Sequence, residues 1–199
     1  MAWWTRNKDV KTIVCVASGP SLTSGDAEAC RQFHTIAINN SIDRAPWAET
    51  LLGGDLKWWR WRSGMPHYHG EKITCHKAAA DAYPDVRWLQ PTGVTGFEHE
   101  PGKVRTGRNS GYVAIQVAAQ RGAMRIVLLG YDMRASDTGE HHWHAPHPDG
   151  SHPGFDRCLP LFDDLVAPLH QLGIEIVNCS PTTALRAFPC RPLSEVLGL

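Results

Sequence analysis

The chain predicts a doubly wound, mostly parallel α/β sheet of about seven strands, built as a single domain over residues 1–199. Seven short apolar runs rich in β-branched residues recur along it: TIVCVA (12–17), TIAIN (35–39), TLLGG (50–54), KITC (72–75), VRWLQ (86–90), RIVLLG (125–130) and IEIVNC (174–179). They are continuously apolar instead of alternating with polar residues, which suits strands covered on both faces. Segments with helical spacing separate several of them, and strand–helix alternation with right-handed crossovers builds such a sheet.

The elements justify themselves in order. The first run leaves through Gly19-Pro20-Ser21, where glycine permits a close backbone approach, proline fixes φ, and serine can cap the helix that follows. The clearest helix is NSGYVAIQVAAQRGA (109–123). Asn109 or Ser110 caps it, Val113/Val117 and Ala114/Ala118 repeat at four, and Gly122 ends it. LPLFDDLVAPLHQLG (159–173) reads as a second helix kinked or interrupted at Pro168. The one long irregular segment, RASDTGEHHWHAPHPDGSHPGFDR (134–157), is of the kind that serves as a functional loop in compact domains.

Composition narrows the function. Twenty basic residues balance twenty acidic ones, and hydrophobic residues make up 42% of the chain. With a pI near 7.2 and a mean hydropathy of −0.31, no overall field draws the protein to nucleic acid or an anionic membrane. No stretch has the length of a signal peptide or a membrane span, and six scattered cysteines lack any C-x-x-C pair. A reduced, cytoplasmic protein without a membrane span is expected.

In doubly wound sheets ligands bind at the carboxyl ends of the strands, beside helix N-termini. Candidate residues collect there. The amides of Gly19, Ser21 and Leu22 are placed to seat a phosphate. Asn39 and Asn40 end the second strand and Asp55 the third, where they can read a base or ribose; ordinary turn chemistry is the alternative. Ser110 and Gly111 open the best helix and offer its free amides to an anion. Asp132 ends the strongest strand. His141, His142, His144, His147 and His152 follow within a short stretch, and imidazole is suited to general-base work near neutral pH. Metal ligation by His142, His144 and Asp132 is the rival role. The tryptophans of AWW (2–4) and WWRW (58–61) suit packing, or contact between copies of the chain in a homo-oligomer.

Taken in order, GPSL, INNS, GRNSGYVAIQVAAQRGAMRIVLLGYDM, the histidine loop and IEIVNCSPTTAL resemble the bacterial sialyltransferases that use CMP-sialic acid. The pattern is also similar to small phage and prophage proteins with a related Rossmann-like domain. It resembles, more distantly, the 6-hydroxymethylpterin pyrophosphokinase-like and motility-accessory-factor proteins. The resemblance runs from about residue 11 to 197. It implies a nucleotide pocket in which Ser18, Asn39, Asp55 or Gly54, Ser110, Ser180 and Pro181 take part, beside Gly19, Pro20, Ser21, Asn40 and Gly111 placed at the same edge above. His152, with His147 second, would be the general base. Where the sialyltransferases hold the leaving phosphate with two tyrosines, this chain has Met133 and Arg134, and Arg134 would neutralise the phosphate.

The expected activity is glycosyl transfer from a nucleotide-activated sugar without cofactor or metal. The acceptor would be a glycan or a modified nucleic acid. Two alternatives stand beside it. One is a pyrophosphokinase-like transferase using ATP and a divalent metal (Mg²⁺), with Asp55 and Asp132 as ligands. The other is a nucleotide-binding protein without catalysis. If encoded by a phage, it would work in the host cytoplasm.

Overall fold

The computed structural model describes residues 12–151 and 154–198. In chain order the strands are β1 (Thr12–Val16), β2 (His34–Ile38), β3 (Thr50–Leu52), β4 (Glu71–Thr74), β5 (Val86–Trp88), β6 (Gln90–Gly93), β7 (Lys103–Arg105), β8 (Arg125–Leu129) and β9 (Glu175–Asn178). Seven form one sheet in the order β5-β4-β3-β2-β1-β8-β9, parallel throughout. All seven apolar runs are strands of that sheet. β6 and β7 make a separate parallel pair that apolar patterning does not announce.

The chain winds outward from β1 to β5, then returns to the other side of β1 to lay down β8 and β9. The order therefore reverses between β1 and β8, and the crevice of a doubly wound sheet lies at the carboxyl end of such a reversal.

Burial on both faces explains the continuous apolar runs. Ile13 and Cys15 of β1 pack with Ile36, Ile38, Ile126 and Leu128 against Val113, Ile115 and Val117 of helix α4 (Ser110–Gln120). Here α1 is Ser24–Ala29, α2 Leu56–Trp61 and α3 Lys77–Ala82. On the opposite face Val14 and Val16 meet Leu22, Cys30, Val127 and Leu129. Farther out, Ala37 and Leu51 pack on Trp58 and Trp59 of α2 and Ala79 of α3. α4 is buried from Gly111 to Ala119, and Asn109 is its N-cap.

Trp58 and Trp59 fill the core in an edge-to-face pair, 4.9 Å between centroids. They are therefore not a surface for another copy of the chain, while the tryptophans at 3 and 4 lie outside the described residues. The six cysteines are free. No helix among the described residues is long and apolar enough to cross a membrane.

The segment read as one kinked helix is two pieces, a 3₁₀ stretch (Leu159–Leu165) and α6 (Val166–Gln171), preceded by the short α5 (Phe155–Cys158). Pro160 stands near the start of the 3₁₀ stretch. Pro168, expected to break the helix, sits in the first turn of α6, where an amide has no intrahelical acceptor to lose. α7 (Leu193–Leu197) closes the chain.

The reversal is made tight by two glycines. Gly19 N–H donates to Gly130 O at 2.8 Å, and Ala17 N–H to Leu129 O at 2.8 Å. A Cβ on Gly130 would lie 2.3 Å from Ala17 O, and one on Gly19 2.0 Å from Asp132 Oδ2. Gly130 also has φ +66°, close to the +68° of Gly173, whose Cβ would meet open space. This pair gives a matched test. Gly173→Ala should cost only the left-handed conformation, ~1–2 kcal/mol. Gly130→Ala should cost about 2 kcal/mol more, because the strand ends must part. Urea denaturation of both variants measures the difference.

Candidate functional site

At the carboxyl end of the reversal lies a cavity of about 250 Å³. Its floor is Ser18 and Gly19 after β1, Asn39 after β2, and Ser110 and Gly111 at the start of α4. Its roof is the histidine-rich segment, through His141, His142, His147 and Phe155. Residues separated by most of the chain therefore share one cavity, because parallel strands deliver all their ends to one edge.

Local backbone geometry marks the same place. Among the described residues, five other than glycine take a positive φ, and Asn39, Arg108 and Met133, each at 52°, all line this cavity. Such conformations cost energy and persist where the surroundings impose them. Asn39 holds its own by accepting the Gly54 amide on Oδ1 at 2.8 Å. A Cβ on Gly54 would stand 2.3 Å from Ser110 Oγ, so the side chains of Ser110 and Asn39 leave no room for one at position 54.

The N-terminus of α4 is only partly capped. Asn109 Oδ1 accepts from Gly111 N and Tyr112 N, at 2.8 and 3.2 Å. The amide of Ser110, first in the helix, has no intrahelical acceptor. Arg108 lines the cavity beside it, and among the described residues no carboxylate pairs with that guanidinium. Sequence reasoning overlooked Arg108, although it stands just before Asn109 in the GRNSGY run.

The phosphate seat expected after β1 is not formed by the amides assigned to it. Gly19 N–H goes to Gly130 O and Leu22 N–H to Gly19 O. Ser21 N–H goes to Asp132 Oδ1 at 3.2 Å. All three donors are occupied by the turn itself.

Asp132 organises that turn. It is fully buried, accepts from Ser21 Oγ and Thr182 Oγ1 at 2.9 Å each, and is not among the cavity-lining residues. Ser180 is likewise structural. Its buried hydroxyl accepts the Tyr131 amide at 2.7 Å, and its own amide donates to Asn178. Pro20, Ser21, Arg134 and Pro181 border a different hollow, of about 370 Å³. There Arg134 pairs with Asp137 at 2.6 Å. Asp55 caps α2 by accepting Trp58 N–H at 3.0 Å. It faces a second chamber of about 500 Å³, with Lys57, Arg60, Trp61 and His76. Asp55 and Asp132 are thus not brought together as a magnesium pair. The two chambers share Asn39, His147 and Ser151.

The histidines form one group. His142 and His144 stack in parallel, 4.8 Å between centroids, and His147 lies 5.1 and 5.4 Å from them. His142 Nδ1 is 3.4 Å from Ser18 Oγ. Burial, then the neighbouring His144 and His147, brings the His142 pKa down to about 4. Burial also lowers that of His144. Asn40 supports the group from below, with Oδ1 accepting from Trp58 Nε1 at 2.9 Å and Nδ2 3.2 Å from His144 Nε2. Asp132 is not part of the group. His152 lies outside the described residues.

No family model matches the sequence, and no curated protein does. Solved structures do match. One is the sialyltransferase CstII from Campylobacter jejuni in complex with a substrate analogue, cytidine-5'-monophosphate. It aligns with a TM-score of 0.59 over 92% of this chain and 86% of its own, at 12% identity. The fold resembles that of a bacterial sialyltransferase. The CstII complex with CMP-3FNeuAc gives a TM-score of 0.52 over 90% and 84%, again at 12% identity. At that identity the likeness is one of fold.

The scaffold role of Asp132 has a measurable consequence. Asp132→Ala leaves the Ser21 amide and two hydroxyls without their acceptor and should lower stability by ~2–4 kcal/mol. In a chain of this length that lowers the melting temperature by roughly 5–15 °C. Unchanged or raised stability would instead mark a carboxylate retained for chemistry alone.

Proposed function

We propose that the protein transfers a sugar from a nucleotide-activated donor, with the nucleotide in the smaller chamber and the acceptor entering from the larger. The observation that carries this reading is the convergence of Ser18, Gly19, Asn39 and Ser110 on one cavity at the strand-order reversal, within a fold like that of a CMP-binding sialyltransferase. Such sheets bind nucleotides at that edge.

The chemistry follows from the residues present. Asn39 Nδ2 and Ser18 offer polar groups to the base or ribose. The anion falls to the Ser110 amide, the positive end of α4 and the Arg108 guanidinium, instead of the Gly-Pro-Ser amides and Arg134. Stabilising charge on the departing nucleotide is commonly the largest contribution to such a transfer. In the larger chamber Trp61 presents a ring face on which a sugar can stack, and Asp55, Lys57, Arg60 and Asp149 offer polar groups to its hydroxyls. The acceptor's proton goes to a base on the histidine segment. His147, on the shared wall, and His152 are the candidates.

Calorimetric titration with CMP, UDP, GDP and ATP should give selective binding of one base. Ser110→Pro, which removes the Ser110 amide at the first helical position where proline is tolerated, should weaken the ligand by about tenfold with little change in stability. Arg108→Ala should weaken the nucleotide by roughly 10–100-fold while leaving the corresponding nucleoside within a factor of about three. Equal weakening of nucleotide and nucleoside, or no binding of any nucleotide, would remove the reading.

A further inference from the structure

We propose that His142, His144 and His147 form a binding site for a divalent transition metal of the zinc type. One ligating atom from each ring lies within 4.8 Å of the other two. On a tetrahedral ion with metal–nitrogen bonds of ~2.0–2.1 Å, three nitrogens stand ~3.4 Å apart, so a bound metal draws the rings together by about an ångström. The three residues sit within six positions of one irregular loop, which can contract by that amount without disturbing the sheet.

The hydrogen bonding leaves lone pairs where the metal needs them. His144 Nδ1 lies 2.7 Å from Ala145 O. A carbonyl only accepts, so Nδ1 carries the proton and Nε2 the lone pair. A ring fixed in this way by a carbonyl is the usual outer support of a metal-bound histidine. Asn40 Nδ2 donates to that Nε2 in the metal-free arrangement and yields to an ion. His142 Nε2 is buried with no hydrogen-bond partner among the described residues, an arrangement that costs energy unless something ligates it. Trp61 stacks on His147 at 5.7 Å.

The donor set also selects the metal. Three nitrogens with no carboxylate in the group suit zinc, cobalt or nickel, and disfavour magnesium and calcium, which require oxygen. Three protein ligands are the complement of a site that keeps a position open. His142 and His147 line the smaller chamber, so that position faces it. If the nucleotide reading of that chamber holds, on which only this clause rests, the open position meets the donor phosphate. Ligation occupies the His147 lone pair, which moves the proton-accepting role to His152.

The test uses the metal alone, so it is independent of any nucleotide. After dialysis against a chelator, the full chain should take up one Zn²⁺ in competition with a chromophoric chelator. Co²⁺ should give the intense visible bands of four-coordination. His142→Ala and His144→Ala should each weaken Zn²⁺ by at least about tenfold, while His69→Ala, at an exposed histidine outside the group, should leave it unchanged. No uptake overturns the proposal, as does uptake indifferent to His142→Ala and His144→Ala. Should those variants not fold, the wild-type Co²⁺ spectrum decides, and weak octahedral bands overturn it.

Discussion

Two strand ends touching through glycines, with a buried carboxylate beneath them, set the position of everything else at the carboxyl edge of the sheet. β1 and β8 run together until Gly19 and Gly130 meet backbone to backbone. One residue beyond Tyr131, Asp132 gathers Ser21 from the first turn and Thr182 from the loop after β9. Three connections distant in sequence are thereby locked to one another. The lock keeps the turns themselves compact, and the cavity is the space left between them and the histidine-rich roof. The Gly-Pro-Ser turn is thus held by the residues around it, and the start of α4 faces the cavity beside it.

The sheet was readable because its physics is local. A strand covered on both faces must be apolar throughout, and seven such runs appear in the sequence. The β6–β7 pair was not readable because side-chain amides hold it more than apolar burial. Gln116 Oε1 accepts from the Arg105 and Glu98 amides, and Gln120 Nε2 donates to the Lys103 and Glu98 carbonyls. A glutamine on a buried helix face gives no periodic signal of such bonding.

At the site, the residues nearest strand ends were identified in kind but not always in role. Asn39, after β2, and Ser110, at the start of α4, do line the cavity. Asp132 and Ser180 also follow strands, yet they bend inward to satisfy buried amides, and only the packed neighbours reveal the direction. Arg108 escaped notice because a lone arginine in a polar turn looks like any solvated charge. Its backbone conformation and the absence of a described carboxylate partner distinguish it, and neither is visible in sequence.

The histidine-rich segment is fastened unevenly. At its root, Trp143 N–H donates to Ser18 O at 3.2 Å, and the guanidinium of Arg44 lies 4.0 Å over the Trp143 ring. At its tip, the hold is the solvent-exposed Lys57–Asp149 pair at 2.9 Å and the Trp61–His147 stack. Contacts of that second kind break readily in water. The tip can therefore swing while the root stays fixed, admitting molecules from the α2 side, with the indole of Trp61 as a natural fluorescent witness to each opening.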